Sequence, residues 1–194
     1  MIYYINETSS TNDLAREPRF EEFDIIWAEH QSAGRGQRGH TWHSTEGENL
    51  TFSVVLEPTF LPIAEQFSVS EVVALSLVDM LSEYGIEAKI KWTNDIYVGD
   101  RKLVGILMEH KLQGAVIGRT IAGIGLNVNQ TEFDPELPNP TSMRLIAGRE
   151  FDRKEVLECI ARYLKSRYEM LRQGEIKQLH LDYHQRLYRL GEEH

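Results

Sequence analysis

The residues best suited to chemistry lie between positions 31 and 44, where glycines alternate with arginines and a tryptophan follows. Glycine lets the backbone approach a ligand closely, and successive backbone N–H groups can surround an anion. Arginine adds a planar charged group that fits carboxylate or phosphate, and tryptophan offers a flat aromatic face. The segment therefore predicts a site for an anionic small molecule with a planar part, such as a nucleotide. The residues concerned are Gly34, Arg35, Gly36, Arg38, Gly39 and Trp42.

Two other interpretations of this segment are open. Residues 34–39 spell G-x-G-x-x-G after a predicted strand at residues 24–31, as in dinucleotide-binding proteins. That fingerprint also requires a helix that opens at the third glycine, whereas residues 40–44 lead towards another predicted strand at residues 50–56. The second alternative is a plain glycine-rich surface loop, and the arginines and the tryptophan argue against it.

A predicted hairpin brings an acid and an amine together. Residues 95–98 and 101–109 have strand character and are separated by a Gly-Asp turn. If the turn has two residues, Tyr97 pairs with Lys102, and Asp95 becomes the diagonal neighbour of Lys102 on one face. This arrangement suits a catalytic pair, although a solvated cross-strand ion pair gives the same pattern.

Two further segments carry candidate binding residues. Residues 115–129 predict a strand in which two glycines and an amide share one face, leaving room for a ligand or, alternatively, for close packing or a bulge. These are Gly123, Gly125 and Asn127. Near the N-terminus, Ser10 and Asp13 have the spacing of a capping box, which predicts a helix start. Ser10 and Thr11 are also candidates for ligand binding, and the two roles are compatible because a helix N-terminus attracts anions.

Composition bounds the class of protein. The 194 residues suit one domain with one core, and the net charge of −9 disfavours nonspecific binding to nucleic acid or anionic membranes. Cys159 is the single cysteine, so no internal disulfide can form, which is consistent with a cytoplasmic location. Neither a signal peptide nor a membrane-spanning segment is apparent. His40 and His43 lack a third ligand, so we predict no metal site on the protein.

Helical periodicity covers the remaining chain. A long helix is predicted at residues 63–84, with Gly85 in the position that ends helices. A second helix is predicted to start at Asp152, with Glu155 in its first turn, and a third to follow Gly174. Residues 130–142 contain three prolines and predict a loop.

Five motifs in one order resemble those of biotin protein ligases. They are Ser-Ser-Thr-Asn at 9–12, Gln-Ser-Ala-Gly-Arg-Gly-Gln-Arg-Gly-His-Thr-Trp at 31–42, Lys-Trp-Thr-Asn-Asp at 91–95, Arg-Lys-Leu-Val-Gly-Ile-Leu at 101–107 and Gly-Ile-Gly-Leu-Asn at 123–127. The resemblance implies an α/β (α+β) fold, a mixed and largely antiparallel sheet flanked by helices, shared with lipoate ligases. It implies that residues 1–194 form the catalytic domain, without an N-terminal winged helix and with the small C-terminal β domain absent or truncated.

The resemblance also implies a two-step reaction. Biotin and ATP, with Mg²⁺ carried on the ATP phosphates, give biotinyl-5′-AMP, and a lysine of a biotin carboxyl carrier domain then takes the biotinyl group. A homodimer, which many members form through the sheet edge, is a further implied partner. A lipoate-type ligase and a non-catalytic binder of biotin or nucleotide remain alternatives.

The site residues implied by the resemblance fall into three sets. Those implied in catalysis are Lys102, Arg35 and Asp95, with Lys102 bridging the biotin carboxylate and the α-phosphate and Asp95 facing the acceptor lysine. Those implied in biotin binding are Ser10, Thr11, Asn12, Gln31, Arg35, Gly36, Gln37, Lys102, Gly105 and Gly123. Those implied in ATP or adenylate binding are Gly34, Arg35, Gly36, Arg38, Trp42, Asn94, Lys102 and Asn127. The chain departs from the family pattern at Gln37, where many members have arginine, at His40, where many have arginine or asparagine, and at Thr93, where proline is usual.

Overall fold

Seven strands form one mixed sheet at the centre of the molecule. The structure, a computed structural model, describes residues 1–189, without the side chain of Arg38. The strands follow the order β1-β2-β3-β7-β6-β5-β4; β1 and β2 are parallel and every other pair is antiparallel. The expected mixed, largely antiparallel sheet is therefore confirmed. The strands are β1 (Ile2–Thr8), β2 (Ile25–Gln31), β3 (Leu50–Leu56), β4 (Lys89–Lys91), β5 (Asp95–Val98), β6 (Arg101–Gln113) and β7 (Val116–Leu126).

Within residues 1–189 five helices accompany the sheet: α1 (Thr11–Ala15), α2 (Phe67–Glu83), α3 (Met143–Ala147), α4 (Arg153–Arg172) and α5 (Ile176–Gln185). The side chain of Asp152 accepts hydrogen bonds from the backbone N–H groups of Lys154 and Glu155, at 2.8 and 3.0 Å, so the predicted cap of α4 is confirmed. Helix α2 begins four residues later than predicted, because a 3-10 turn at Ile63–Glu65 precedes it. No described helix is long and apolar enough to cross a membrane.

The two faces of the sheet are covered unequally. Helices α2, α4 and α5 pack over one face and bury the large hydrophobic core, which is why α2 is buried almost all round. The other face carries a small separate cluster under α1, formed by Ala15, Phe20, Ile26, Val55 and Ile121. The thin cover on this second face leaves room there for a ligand site.

The predicted hairpin is confirmed in register. Gly99 turns the chain with a φ of +56°, and Tyr97 pairs with Lys102. A register shift between Ile96 and Tyr97 follows, and Asp95 then lies opposite Gly105. The bulge leaves Asp95 and Lys102 on the same surface of the sheet.

The predicted capping box at α1 is wrong. Ser10 occupies the N-cap position with an extended backbone, but its side chain makes no capping hydrogen bond to the helix. Ser10 is 3 % exposed and is one of the residues that line the ligand cavity described below. The alternative, a binding role for this segment, is the one that the geometry favours.

Candidate active site

A cavity of about 590 Å³ opens on the thinly covered face of the sheet. Its floor includes a row of directly paired residues across four strands: Thr51, Gly125, Gly105 and Asp95. The two central positions of the row lack side chains, and the Trp42 ring packs over both of them. Close packing, one of the two alternatives to a ligand space, is therefore what the structure shows at the strand glycines.

One end of the cavity is polar and uncharged. Gln31 at the end of β2 accepts two hydrogen bonds through its Oε1 atom, from the Thr11 backbone N–H at 2.7 Å and the Thr11 hydroxyl at 3.1 Å. Asn12 lies 2.6 Å from the Ser53 hydroxyl through its Oδ1 atom, while its Nδ2 atom donates to Glu109 at 2.9 Å. These contacts fix donors and acceptors in place before any ligand arrives.

Gly123 lies directly beneath the side chain of Asn12 at this polar end. A Cβ atom at position 123 would overlap the Asn12 amide. The glycine is therefore required by the close approach of α1 to the sheet.

The wall of the cavity carries an ion pair at the Asp95 end of the floor. The Lys102 Nζ atom lies 3.1 Å from the Asp95 Oδ1 atom, and each side chain is about one-third exposed, at 34 % and 32 %. The backbone of Lys102 is held by the 130–142 loop, since its N–H donates to the Asn139 carbonyl and its carbonyl accepts from the Thr141 N–H. The ammonium group lies 5.9 Å from the centre of the Trp42 ring. A cation thus stands on the cavity wall beside Trp42.

The glycine-rich segment forms a loop over one wall of the cavity. The Trp42 N–H donates to the Gly34 carbonyl at 3.2 Å, and the Gly36 N–H donates to the His40 carbonyl at 2.6 Å. Only a 3-10 turn, Gln37–Gly39, follows the second glycine, and the chain then runs to β3. The dinucleotide-binding interpretation is therefore wrong, because the helix that would face a pyrophosphate is missing.

Arg35 of this loop is engaged with acids. Its Nη2 atom lies 2.7 Å from the Asp13 Oδ1 atom and its Nη1 atom lies 3.5 Å from Glu109. Arg16 contacts the same two carboxylates, at 3.3 and 2.8 Å, so two arginines and two acids alternate. Arg35 remains 42 % exposed, which leaves the guanidinium able to contact a ligand in the cavity.

Trp42 packs over the two central glycines of the cavity floor. A Cβ atom at Gly105 would come within 2.9 Å of the indole ring, and one at Gly125 would overlap the ring. Among the described residues, the buried indole N–H has no hydrogen-bond acceptor. A ligand that lies beside Trp42 could supply that acceptor, since buried donors are normally paired.

Most of the predicted site residues line this one cavity. Two predicted residues are not on the cavity wall. Gly34 packs against the loop itself, where a Cβ atom would meet the Trp42 carbonyl at 2.8 Å. The Arg38 side chain lies outside the described part of the chain. Asn127 reaches the cavity wall, yet its Nδ2 atom donates to the Thr141 carbonyl at 3.0 Å, so it also anchors the 130–142 loop. The predicted residues on the wall are Ser10, Thr11, Asn12, Gln31, Arg35, Gly36, Gln37, Trp42, Asn94, Asp95, Lys102, Gly105, Gly123 and Asn127.

Sequence reasoning missed one wall of the cavity. The loop after β7 contributes Phe133, Leu137, Pro138, Asn139 and Pro140. Its length was the available signal, because loops longer than about 12 residues are usually functional or disordered. Trp92 of the Lys-Trp-Thr-Asn-Asp motif, which is not among the predicted site residues, is 70 % exposed and lines the same cavity.

The described residues contain no group of three or more His, Cys, Asp or Glu side chains that could hold a metal ion. The cavity lining contains the cations Lys102 and Arg35, the Asp95 carboxylate and neutral hydrogen-bonding groups. It can bring two anions together beside Lys102 and Arg35.

Comparison with known proteins places this cavity in a family. The biotin/lipoate A/B protein ligase family matches residues 2–128. The bifunctional ligase/repressor BirA of Bacillus subtilis is 34 % identical over 174 residues, which is 86 % of this chain and 53 % of BirA. The biotin–[acetyl-CoA-carboxylase] ligase of Mycobacterium tuberculosis is 30 % identical over 195 residues, covering 96 % of this chain and 71 % of that protein.

Solved structures agree with the sequence relatives. The biotin protein ligase of Aquifex aeolicus, in complex with biotin and ATP, superposes with a TM-score of 0.87 at 30 % identity, over 98 % of this chain and 80 % of that one. The chain spans about half the length of the BirA relatives that it matches. The chain therefore belongs to the biotin/lipoate A/B protein ligase family, and within that family to the biotin protein ligases.

Proposed function

We propose that this chain joins biotin to a lysine of a biotin carboxyl carrier domain, using ATP and passing through biotinyl-5′-AMP. The observation that carries the proposal is the Lys102–Asp95 pair, held at 3.1 Å on the wall of a cavity that neutral polar side chains and Trp42 also line. The names of the relatives support biotin as the acid and a carboxylase as the source of the acceptor. The Aquifex aeolicus ligase, described with biotin and ATP, supports both small molecules.

The first step joins two anions. A biotin carboxylate oxygen attacks the α-phosphorus of ATP, a new P–O bond forms, and the bond to the β-phosphate oxygen breaks to release pyrophosphate. Two unit charges at about 4 Å repel each other by roughly 4 kcal/mol at an effective dielectric constant near 20. The cations of Lys102 and Arg35 oppose this repulsion and stabilise the charge that develops in the transition state.

The second step transfers the biotinyl group. The acceptor lysine must attack as a neutral amine at the carbonyl carbon of the adenylate, and the C–O bond to AMP then breaks. Asp95 lies on the cavity wall and beside Lys102, so we assign it to orient the incoming amine and accept its proton. The loop of residues 34–42 limits the access of water to the adenylate between the two steps.

The two parts of the adenylate, the biotin head group and the nucleotide, match different residues of the cavity wall. We assign the neutral network around Thr11, Asn12 and Gln31 to the head group of biotin, because a ureido ring offers both donors and acceptors to such groups. We assign Trp42 and Asn94 to the nucleotide end. Ser10, Gly36, Gln37, Gly105 and Gly123 complete the proposed biotin contacts, and Asn127 the nucleotide contacts; Gly34 and Arg38 stay predictions.

Magnesium enters this proposal with ATP. The described residues contain no cluster of metal ligands, so we assign no protein site to Mg²⁺. Mg²⁺ usually keeps several waters and binds through phosphates. We assign no step of the mechanism to protein-bound metal.

The location and assembly of the protein are also proposals. A carboxylase acceptor and a single free thiol at Cys159 fit the cytoplasm. For a homodimer, β1 is the available sheet edge, because the outer edge of β4 pairs through Ile90 with Arg186 and Tyr188. Light scattering with and without biotin and ATP would measure the mass of the particle.

The proposed function is tested by biotin-dependent release of pyrophosphate from Mg-ATP, with mass spectrometry of the bound product. Bound biotinyl-AMP, followed by transfer to a purified biotin carboxyl carrier domain, is the expected result. The same domain with its target lysine replaced by arginine is the matched control and should stay unmodified. Release that depends on lipoate and not on biotin would refute the substrate, and binding of biotin without release would refute the catalytic role.

A further inference from the structure

Arg119 of β7 reaches across to the segment that follows α1. Its Nη2 atom lies 3.1 Å from the Ala15 carbonyl, 3.3 Å from the Glu17 carbonyl and 2.9 Å from the Phe20 carbonyl. Its Nη1 atom donates to Glu57 at 3.1 Å, and the side chain is 19 % exposed. A guanidinium surrounded by three main-chain oxygens is a built feature of the fold, which we call the carbonyl clamp.

Helix α1 is held at its first turn by the hydrogen bonds of Thr11 and Asn12, but it is too short to be stable by itself. It contains five residues, far below the length of about 12 at which isolated helices become marginally stable. Its N-cap residue, Ser10, makes no side-chain capping hydrogen bond. The apolar cluster beneath it is small and separate from the main core. The Arg119 cation at the C-terminal end of α1 stabilises the helix, since it satisfies exposed carbonyl acceptors and interacts favourably with the negative end of the helix dipole.

The other end of the same helix forms the polar end of the cavity. Thr11 and Asn12 lie on its first turn and are hydrogen-bonded to Gln31 and Glu109. At a rise of about 1.5 Å per residue, the Ala15 carbonyl is only about 6 Å along the axis from Thr11. So short an element moves as one body, and a shift at the clamp displaces the groups at the cavity.

We propose that Arg119 is a positioning residue for the biotin end of the site. It does not line the cavity, and it acts by fixing α1 through the carbonyl clamp, so that Thr11 and Asn12 meet the biotin head group in a preset geometry. The inference rests on the proposed function for the identity of the ligand. The nucleotide end, built on Trp42, is carried by other segments and does not depend on the clamp.

The test compares three variants. Arg119→Met keeps the length of the side chain and removes all its donors, and Arg119→Lys keeps the charge without the planar group. Arg167→Met is the matched control, because Arg167 is a 15 % exposed arginine that pairs with Asp79 and Asp182 in the helical layer, away from α1. Thermal unfolding of each variant measures the general loss of stability.

Calorimetric titration with biotin and, separately, with ATP measures positioning. We expect Arg119→Met to weaken biotin binding at least about tenfold and ATP binding less than about twofold, because misplaced binding groups lose preorganisation only at one end. Arg119→Lys should give an intermediate loss for biotin, since one ammonium cannot contact all three carbonyls. Wild-type biotin affinity in Arg119→Met, or an equal loss in Arg167→Met, would overturn the inference.

Amide hydrogen exchange separates this inference from the proposed function. In Arg119→Met, exchange over residues 11–20 should rise while the segments bound to Arg167 stay protected. Unchanged exchange in α1 would overturn the carbonyl clamp whatever the ligand is. If Arg119→Met shows raised exchange over residues 11–20 while the wild-type protein does not bind biotin, the result would support the carbonyl clamp and refute biotin as the ligand.

Discussion

The charge of Lys102 is the element of the proposed chemistry that can be removed most cleanly. Lys102→Met keeps most of the volume of the side chain and deletes the cation that faces both reacting anions. A full charge at about 4 Å is worth roughly 4 kcal/mol at an effective dielectric constant of 20, and water screens part of it because the side chain is 34 % exposed. A loss of about 2.7 kcal/mol of transition-state stabilisation corresponds to about a hundredfold slower adenylation.

The fold should tolerate this substitution. Asp95 is 32 % exposed, so water can solvate it when its partner is gone. Exposed ion pairs contribute only about 0–1 kcal/mol, and we expect a similarly small change in the free energy of unfolding. Lys111→Met, an exposed lysine on the same strand, is the matched control for loss of one positive charge from β6.

The assay follows pyrophosphate release in a first turnover and, in parallel, transfer from chemically supplied biotinyl-AMP to the carrier domain. Lys102→Met should lose most in the first assay, whereas Asp95→Asn should lose most in the second. Adenylation by Lys102→Met within about threefold of wild type, where about a hundredfold is expected, would refute the assignment of Lys102. Equal losses in both assays for both variants would refute the division of labour between the two residues.

Three further predictions concern the loop, the floor and a buried acid. Gly125→Ala should weaken ATP binding by about tenfold or more in calorimetry, because the new Cβ overlaps the Trp42 ring and overpacking costs about 1–3 kcal/mol; unchanged binding would contradict the role of the ring. Gln37→Arg should lengthen the lifetime of bound biotinyl-AMP about fivefold, since a cation on the cavity wall adds about 1 kcal/mol; faster release would contradict it. Burial raises the pKa of the Glu71 carboxyl above its ordinary value of 4.5, although the hydrogen bond with His180 lowers it in part. The folded protein therefore holds this proton more tightly than the unfolded chain does. The resulting contribution to the free energy of unfolding is full below pH 4.5 and is lost as pH rises through the raised pKa. Chemical denaturation should therefore show Glu71→Gln gaining stability relative to wild type between pH 4.5 and 8, and a constant difference would contradict this.

Local patterns predicted the elements where one segment carries its own information. Strand β3 has the predicted bounds, and the hairpin pairs Tyr97 with Lys102 as its Gly-Asp turn requires. Asp152 caps α4 because the cap and the N–H groups that it accepts from are within three residues. Ser10 shows the limit of such patterns. Its spacing to Asp13 predicts a capping box, yet its side chain makes no capping hydrogen bond in the folded protein.

The sequence by itself determined the chemical content of this protein: a glycine-rich loop with cations, an acid and an amine on one hairpin, and strand glycines beside an amide. Tertiary structure decided how these parts meet. It aligned Thr51, Gly125, Gly105 and Asp95 across four strands and brought the 130–142 loop against Lys102. It also engaged Arg35 with Asp13 and placed Arg119 on α1, 104 residues away from Ala15 in the chain. These contacts depend on sheet register and on competition among distant side chains for the same partners, and no local period in the sequence encodes either.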